Sequence, residues 1–154
     1  GKSMIKTSLT CSIIIAGAFA VTGSPANAQS LNETVSYIQG RCVNSTVYQN
    51  YPTGSQPVTT VSFSVQNGIM SWRYRNRMRT HTVTVPLADV SSVTHSGEEI
   101  TIRSNSRSVG MDLSDDSVGA ANYTEGWMYC PNADRIVRAL EHLVSLEGDD
   151  PFAN

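Results

Sequence analysis

The side chains with the clearest chemical potential are four arginines at alternate positions in the segment SWRYRNRMRT, residues 71–80: Arg73, Arg75, Arg77 and Arg79. A guanidinium group presents planar, forked donors that match the oxygens of phosphate, sulfate or carboxylate. The run therefore predicts a binding site for an anionic ligand. The alternative is a solvated hairpin end, because charged residues at such an end also discourage aggregation.

The three histidines, His81, His95 and His142, have no histidine, cysteine or carboxylate at metal-site spacing, so no metal site is predicted. An enzyme hypothesis would use a cleft that holds His81 with a carboxylate such as Asp89. No nucleophile and base can be named for it, because the chain contains no G-x-S-x-G, S-x-x-K, P-loop or dinucleotide fingerprint. The sequence predicts no cofactor and favours a protein without catalytic activity.

The first 28 residues have the order of a bacterial secretory signal peptide. Gly1 to Ser3 precede the first methionine and read as an expression remnant or an upstream reading of the start. Lys6, the apolar run LTCSIIIAGAFAV and the small triplet Ala26-Asn27-Ala28 follow, which predicts cleavage after Ala28. The apolar run is shorter than the roughly 18 to 20 residues that span a bilayer. We therefore expect a periplasmic or secreted protein without a transmembrane segment.

Cleavage would remove both lysines and leave nine arginines and thirteen acidic residues, a net charge of −4. A mildly acidic protein is a poor general binder of polyanions, so nucleic acid is not an expected partner. Cleavage would also leave two cysteines, Cys42 and Cys130. In an oxidising compartment such a pair most often forms a disulfide, here worth about 4 kcal/mol in the chain-entropy model. Two buried free thiols are the alternative.

Two helices are predicted, one at each end of the mature chain. Ser30 and Glu33 have the spacing of a capping box, so a short first helix should begin at Ser30 and end near Gly40 to Val43. A long amphipathic helix should begin after Asn132 and end before Gly148. Its apolar face is formed by Ile136, Val137, Leu140, Leu143 and Val144.

Between the helices, apolar and polar residues alternate, which is typical of antiparallel strands that are buried on one face. Asn67 and Gly68 separate two alternating runs and predict a two-residue type I′ hairpin. This turn sets Phe63 opposite Trp72, with further pairs of Val65 with Met70, Val61 with Tyr74, Ser62 with Arg73 and Thr60 with Arg75. One face of the hairpin is therefore core and the other is solvent.

The strand that contains the arginines cannot continue unbroken. Apolar residues have even numbers up to Met78 and odd numbers at Val83 and Val85. Even and odd positions of one continuous strand point to opposite faces of the sheet, so a single strand cannot bury both sets. A four-residue connection at residues 76–79 restores the pattern and sets Trp72 opposite Val83. On this interpretation Arg73 and Arg75 lie on the wet face, and the two arginines that follow lie on a loop tip.

The remaining strands are predicted at about residues 90–94, 100–103 and 109–113, followed by a polar loop at 114–126 and a buried segment at 127–130. Residues 29–148 form one domain, and residues 149–154 a disordered tail. The predicted fold is α+β: about six or seven antiparallel strands in a bent sheet or a partly open barrel, with the two helices.

The segment VPLADVSSVTHSGEEITIRSNSRSVGMDL and the later NADRIVRALEHLVSL resemble pleckstrin-homology and GRAM-like domains. In those domains a V-P-L-x-D-V-type turn leads to paired strands and then to a long amphipathic helix that plugs one end of a bent barrel. The resemblance covers about the second half of the chain and implies a pleckstrin-homology-like fold. Many members bind phosphoinositides or peptides in the cytoplasm, whereas this chain has a signal peptide and a cysteine pair.

These features predict a small extracytoplasmic binding module without catalytic activity, which takes an anionic ligand or a protein partner through Arg73, Arg75, Arg77 and Arg79. Two alternatives stay open. One is a structural, self-associating protein of the cell envelope, and the other is an enzyme with a cleft that contains His81.

Overall fold

The structure of the protein is a computed structural model that describes residues 25–77, 79–113 and 121–148. Most of the predicted signal peptide, Met78, residues 114–120 of the predicted loop and the predicted disordered tail at 149–154 lie outside these residues. The chain divides after residue 32, and the packing described below is that of residues 33 onward.

The described residues form two helices, nine strands and one short 3-10 helix, so the predicted α+β class is confirmed, with more strands than the six or seven expected. The elements are α1 (Pro25–Cys42), β1 (Thr46–Tyr51), β2 (Gly54–Gln66), β3 (Ile69–Asn76), β4 (Arg79–Pro86), the 3-10 helix (Leu87–Asp89), β5 (Val90–Ser96), β6 (Glu99–Ser104), β7 (Val109–Leu113), β8 (Ala121–Tyr123), β9 (Glu125–Tyr129) and α2 (Ala133–Gly148).

The described strands make two antiparallel sheets. Sheet A has the order β1-β2-β3-β4-β7-β8, and sheet B has the order β5-β6-β9. Strands β1 to β4 form a meander, and β7 returns from sheet B to pair with β4. The prediction of a loop through residue 126 is wrong for β8 and the start of β9. Strand β8 is a polar edge strand, and such a strand needs no apolar alternation because little of it is buried.

The core is built from one face of each sheet, one face of α2 and buried residues near the end of α1. Helix α2 packs on β5, β6 and the 3-10 helix. Two side-chain hydrogen bonds join sheet A to β9: the indole N–H of Trp72 donates to the carbonyl of Trp127 at 2.7 Å, and the hydroxyl of Thr60 donates to the carbonyl of Tyr129 at 2.5 Å. The largest fully buried side chains are Trp72, Ile38, Met70, Leu87, Ile100, Ile102, Met128, Ile136, Leu140, Leu143, Val58 and Val83.

The β2–β3 hairpin follows the predicted register near its turn and departs from it further away. Asn67 and Gly68 both have positive φ, 53° and 74°, as a type I′ turn requires. Phe63 lies opposite Trp72 as predicted. The prediction that Val61 faces Tyr74 is wrong, because the register shifts between Thr60 and Ser62. A bulge inserts one extra residue into β2, and strict alternation cannot anticipate it.

The bulge changes the partners of both faces of the hairpin. Thr60 lies opposite Tyr74 on the buried side, and Thr59 lies opposite Arg75 on the solvent side. The predicted pairing of Thr60 with Arg75 is therefore wrong, whereas the pairing of Ser62 with Arg73 is confirmed. Thr60 is fully buried, and its hydroxyl is satisfied by the bond to Tyr129.

Helix α1 begins at Pro25, so the prediction of a start at Ser30 is wrong. Proline fits the first turn of a helix because its φ is already helical and its missing N–H would have no partner there. The helix ends at Cys42, close to the predicted end, and Asn44 follows with a positive φ of 67°. Asparagine tolerates this left-handed conformation after a helix better than most residues. Cleavage after Ala28 stays a prediction.

Cys42 and Cys130 lie at disulfide-bonding distance, with their Cα atoms 5.0 Å apart. Both side chains are fully buried. The bond joins the end of α1 to the residues that precede α2, across a sequence separation of 88 residues. Of the two alternatives that the sequence leaves open, the structure agrees with the disulfide.

Candidate functional site

The β3–β4 hairpin has the register that the parity argument predicts. Trp72 lies opposite Val83, and Asn76 lies opposite Arg79. Because Asn76 and Arg79 are already paired strand residues, the connection is shorter than the predicted four residues, and Arg79 opens β4 instead of lying on a loop tip. Arg77 follows β3 in the turn with a left-handed φ of 48°.

Strand alternation divides the four arginines into two pairs. Arg73 and Arg75 are exposed on the side of sheet A that faces away from the core. Arg79 has the opposite parity in the hairpin and lies across from Asn76, on the same side as the buried Tyr74. The run therefore does not form a single basic surface.

Arg77 and Arg79 line an open cavity of about 460 Å³ at the end of sheet A, which we call the hairpin-end cavity. Its described lining residues are Tyr51, Pro52, Thr53, Gln56, Asn76, Arg77 and Arg79. The Nε–H of Arg77 donates a hydrogen bond to Oε1 of Gln56, which holds this guanidinium against the β1–β2 hairpin. No carboxylate occurs among these described lining residues.

The meander brings two sequence-distant turns together to form this cavity. In an up-and-down order of strands, the β1–β2 turn and the β3–β4 turn lie at the same end of the sheet, and the β2–β3 turn lies at the other. Pro52 and Thr53 belong to the first of these turns. The sequence indicates both turns, and the assumption of a four-strand meander would have placed them side by side. Alternation along single strands does not by itself point to Tyr51, Pro52, Thr53 and Gln56 as lining residues.

A cluster of aromatic rings lies behind the cavity. The Oδ1 atom of Asn76 is 3.2 Å from Nε2 of His81, and the ring of His81 stacks on Tyr74 with centroids 4.6 Å apart. Tyr74 in turn contacts Tyr129 edge to face at 5.0 Å. The predicted position of His81, opposite Tyr74 in the register, is thus confirmed.

Both tyrosines of the cluster are held in the neutral form. Desolvation by burial raises the pKa of Tyr74 to about 12, with smaller contributions from Tyr51 and Glu99. Burial also raises the pKa of Tyr129, and a hydrogen bond with Gln49 acts in the opposite direction. A neutral phenol is a poor general base at neutral pH, so the cluster offers no phenolate for proton abstraction.

The carboxylate predicted to accompany His81 does not reach it. Asp89 lies beyond the far end of β4, and the strand from His81 to Pro86 spans about 17 Å at 3.3 Å per residue. The backbone carbonyl of Asp89 instead accepts a hydrogen bond from the N–H of Asn105 at 2.9 Å. The structure therefore separates the two residues that the enzyme hypothesis would combine.

A different carboxylate, Glu99, lies closer to the aromatic cluster. The amide of Gln49 donates to Oε2 of Glu99 at 2.8 Å, and the hydroxyl of Tyr51 donates to Oε1 of Gln49 at 2.6 Å. Tyr51 also lines the hairpin-end cavity, so this chain of hydrogen bonds orients one wall of the cavity. Among the residues that the structure describes, no three histidine, cysteine, aspartate or glutamate side chains group as metal ligands would.

Arg73 and Arg75 have polar but uncharged neighbours on the opposite side of the sheet. Arg73 lies between Ser62 and Thr82 of the adjacent strands, and Arg75 lies between Thr59 and Thr80. Within the described ranges, neither arginine makes an ion pair or a side-chain hydrogen bond. Their guanidinium groups therefore remain available to a ligand.

In the described part of the chain, no helix is both long enough and apolar enough to cross a membrane. Comparisons with protein-family models, with curated proteins and with solved structures each find no match to this chain.

Proposed function

We propose that the protein is a small extracytoplasmic binding module without catalytic activity, and that it takes an anionic ligand into the hairpin-end cavity. The observation that carries the proposal is that two guanidinium groups, those of Arg77 and Arg79, line the same concave space. Charge-assisted bonds from guanidinium to phosphate, sulfate or carboxylate are stronger than neutral ones. The side-chain amides of Gln56 and Asn76 add further polar groups around the same space.

The backbone of Arg77 supports this assignment. A residue with a side chain in the left-handed region costs about 1 kcal/mol or more, and such residues cluster at ligand sites when the surroundings enforce them. Here Arg77 has a φ of 48° and is tied to Gln56 through its Nε–H. The hydrogen bond to Gln56 positions the guanidinium at the cavity before any ligand arrives, which reduces the entropy lost on binding.

The proposed location and architecture rest on further features. The signal-peptide pattern and the buried cysteine pair favour an oxidising compartment outside the cytoplasm. A pleckstrin-homology-like, bent or partly open barrel is proposed because the turn VPLADV forms the 3-10 helix and leads into the β5–β6 hairpin. Helix α2 then packs on that hairpin, in the order that the resemblance implies.

The proposal is tested by titrating the disulfide-intact protein with inorganic phosphate, sulfate and acetate at two salt concentrations, observed through the arginine Nε–H signals by NMR. We expect salt-sensitive shifts at Arg77 and Arg79. Each of Arg77→Gln and Arg79→Gln should weaken binding about tenfold or more, since a hydrogen bond to a charged group is worth about 1.5 to 3 kcal/mol. Arg107→Gln, at an exposed turn position, is the matched control and should change nothing.

An unchanged affinity in the double variant of Arg77 and Arg79, with an unaltered melting temperature, would refute the proposal. Equal losses in the Arg107 variant would refute it as well, because the effect would then follow net charge and not the cavity.

A further inference from the structure

The solvent side of sheet A is a regular array of hydroxyl groups around two arginines. We call it the hydroxyl face and define it by the residues that share the side of Arg73 and Arg75. Its hydroxyl residues in the described chain are Thr46, Thr59, Ser62, Ser64, Ser71, Thr80, Thr82 and Thr84. They come from β1, β2, β3 and β4, so the array spans four adjacent strands.

Each arginine is flanked by a hydroxyl on both neighbouring strands. The strand register gives one row across the sheet in the order Thr46, Thr59, Arg75, Thr80, and a second in the order Ser62, Arg73, Thr82, Asp112. Neighbouring positions in a row are about 5 Å apart, and the two arginines are about 7 Å apart along β3. The face therefore sets two forked cations among hydroxyl groups, of which those of Thr46 and Thr59 bond to each other at 2.8 Å.

Among the described residues of these rows, no acid lies directly beside the two arginines. In the described register, Asp112 lies at the end of the second row. It is two strands away from Arg73, a separation of about 10 Å. That separation is comparable to the screening length at physiological salt, so the carboxylate neutralises the arginines little. An anionic partner would meet a local positive potential on an otherwise acidic protein.

Gly110 leaves the hydroxyl face without a protruding side chain beside the hydroxyl of Thr84. Gly110 lies opposite Thr84, and a Cβ atom built on Gly110 would come within 2.8 Å of Oγ1 of Thr84. Asn122 continues the same row on β8. Any other residue at position 110 would displace this hydroxyl or stand above it, so a shallow, continuous surface depends on the glycine.

In residues 33 onward, the helix contacts described next do not involve Arg73 or Arg75. Helix α1 reaches sheet A through Gln39, whose amide donates to the backbone carbonyl of Phe63 at 2.7 Å, and helix α2 packs on β5, β6 and the 3-10 helix. Arg73 and Arg75 are accordingly exposed.

We infer that the hydroxyl face binds an extended acidic polysaccharide, separately from the hairpin-end cavity. Guanidinium groups pair with carboxylate or sulfate, and the flanking serine and threonine hydroxyls match the many hydroxyls of a sugar chain. A shallow face four strands wide accommodates an extended chain better than a small ion.

Two other polyanions fit this face less well. Non-specific binding of single-stranded nucleic acid relies on exposed aromatic rings along a basic groove. The aromatic residues of the central strand, Trp72 and Tyr74, are buried on the other side, and the exposed Tyr48 lies on the edge strand β1, two strands from the arginines. Two arginines alone attract an anionic membrane surface weakly, and the exposed apolar side chains that could insert, Tyr48 and Ile69, lie at the margins of the face.

The test uses four probes at matched charge concentration: a polyuronate oligosaccharide, a sulfated oligosaccharide, a single-stranded oligonucleotide, and vesicles that contain an anionic phospholipid. Neutral dextran is the uncharged control. We expect salt-sensitive binding of both acidic oligosaccharides, and a loss of about tenfold or more in the double variant Arg73→Gln/Arg75→Gln. The matched double variant Arg77→Gln/Arg79→Gln, on the other side of the sheet, should retain oligosaccharide binding.

A second variant tests the hydroxyl groups without changing charge. Thr82→Val should weaken oligosaccharide binding several-fold and leave its salt dependence unaltered, because a hydrogen-bonding group is lost and no counterion contact is. Equal binding of dextran would overturn the inference. Tighter binding of the oligonucleotide or the vesicles would overturn it too, as would an affinity that does not respond to Arg73→Gln/Arg75→Gln.

The test of the hydroxyl face can fail or succeed whether or not the hairpin-end cavity binds an anion. Phosphate titrated into the Arg73→Gln/Arg75→Gln variant reports the cavity alone, so loss of oligosaccharide binding with phosphate binding intact supports the inference. Loss of both in a variant that keeps its melting temperature would mean that the two sides of the sheet are not separate sites, and would overturn it.

Discussion

The two faces of sheet A differ in how tightly their side chains are packed, although residues of the two faces alternate along the same strands. Trp72 is fully buried and bonded through its indole to Trp127, whereas its neighbour Arg73 is exposed between two hydroxyl residues. The buried face is fixed by close packing, and the solvent face has no such constraint. Stability and binding can therefore vary almost independently in this sheet, and substitutions at adjacent positions should separate them.

The largest separation is expected at Trp72 and Arg73. Trp72→Ala should lower the free energy of unfolding by about 3 to 5 kcal/mol. The substitution leaves a cavity and removes the indole N–H that donates to the carbonyl of Trp127. Arg73→Ala should change it by less than about 0.5 kcal/mol. Urea denaturation with both variants measures the difference. Similar losses in the two variants would show that the faces are not independent.

A smaller effect is expected at the bulge. Thr60→Val keeps the shape of the side chain but removes the donor to the carbonyl of Tyr129, which should cost about 1 to 3 kcal/mol. Thr59→Val, one residue earlier on the solvent side, should cost less than about 0.5 kcal/mol. The same urea experiment measures both variants. An unchanged free energy of unfolding in Thr60→Val would mean that the hydrogen bond to Tyr129 does not stabilise the fold.

Two glycines sharpen the comparison further: Gly126 of β9 faces the core, and Gly110 of β7 lies on the hydroxyl face. A Cβ at Gly126 would lie 3.0 Å from side-chain carbons of Val109 and Val83, so Gly126→Ala should overpack the core and cost about 1 to 3 kcal/mol. Gly110→Ala meets the hydroxyl of Thr84, which can rotate towards solvent, so its cost should be below about 1 kcal/mol. Thermal denaturation distinguishes them; a larger loss at Gly110 would contradict the assignment of the faces.

Alkaline pH should weaken the buried face. In the unfolded chain a tyrosine ionises near its ordinary pKa of about 10, whereas the folded protein raises the pKa of Tyr74 to about 12. Between these values the unfolded chain binds fewer protons, so the contribution of Tyr74 is present in full below pH 10 and is lost as pH rises towards 12, at about 1 kcal/mol per pH unit. Tyr74→Phe should flatten the decline between pH 10 and 12, measured by urea midpoints. An unchanged slope would mean that Tyr74 does not govern it.

The smallest effect is expected at the turn. Arg77→Gly should raise the free energy of unfolding by up to about 1 kcal/mol, because glycine adopts the left-handed conformation without a Cβ penalty. The same variant should bind phosphate more weakly, since the guanidinium is lost from the hairpin-end cavity. A destabilised variant would show that the bond from Arg77 to Gln56 outweighs the backbone strain.

Local sequence patterns predicted much of this fold. Asn67-Gly68 specified the β2–β3 turn, and the parity change before Val83 predicted where the next turn lies and which residues of β3 and β4 face each other. These signals work because side chains alternate strictly along a strand and because few residues tolerate positive φ. The pattern also predicted the cysteine pair that the structure brings together and the amphipathic helix α2.

Contacts between elements distant in the chain were not encoded in this way. The bulge at Val61, the edge strand β8 and the extension of α1 to Pro25 each departed from the local pattern. The register of the hydroxyl rows could be derived from the turns for β3 and β4, but the shift on β2 and the approach of Asp112 could not. A bulge or an edge pairing depends on what packs against the strand, and the sequence of that strand alone does not report its neighbours.

The sequence by itself determined that four arginines alternate with larger residues and that the strand carrying them must turn before Val83. Only the tertiary structure decided that Arg77 and Arg79 share a cavity with the β1–β2 turn, while Arg73 and Arg75 face solvent among hydroxyls. The physical reason is range: alternation and turn geometry act over a few residues, whereas a cavity is formed where separate turns pack side by side.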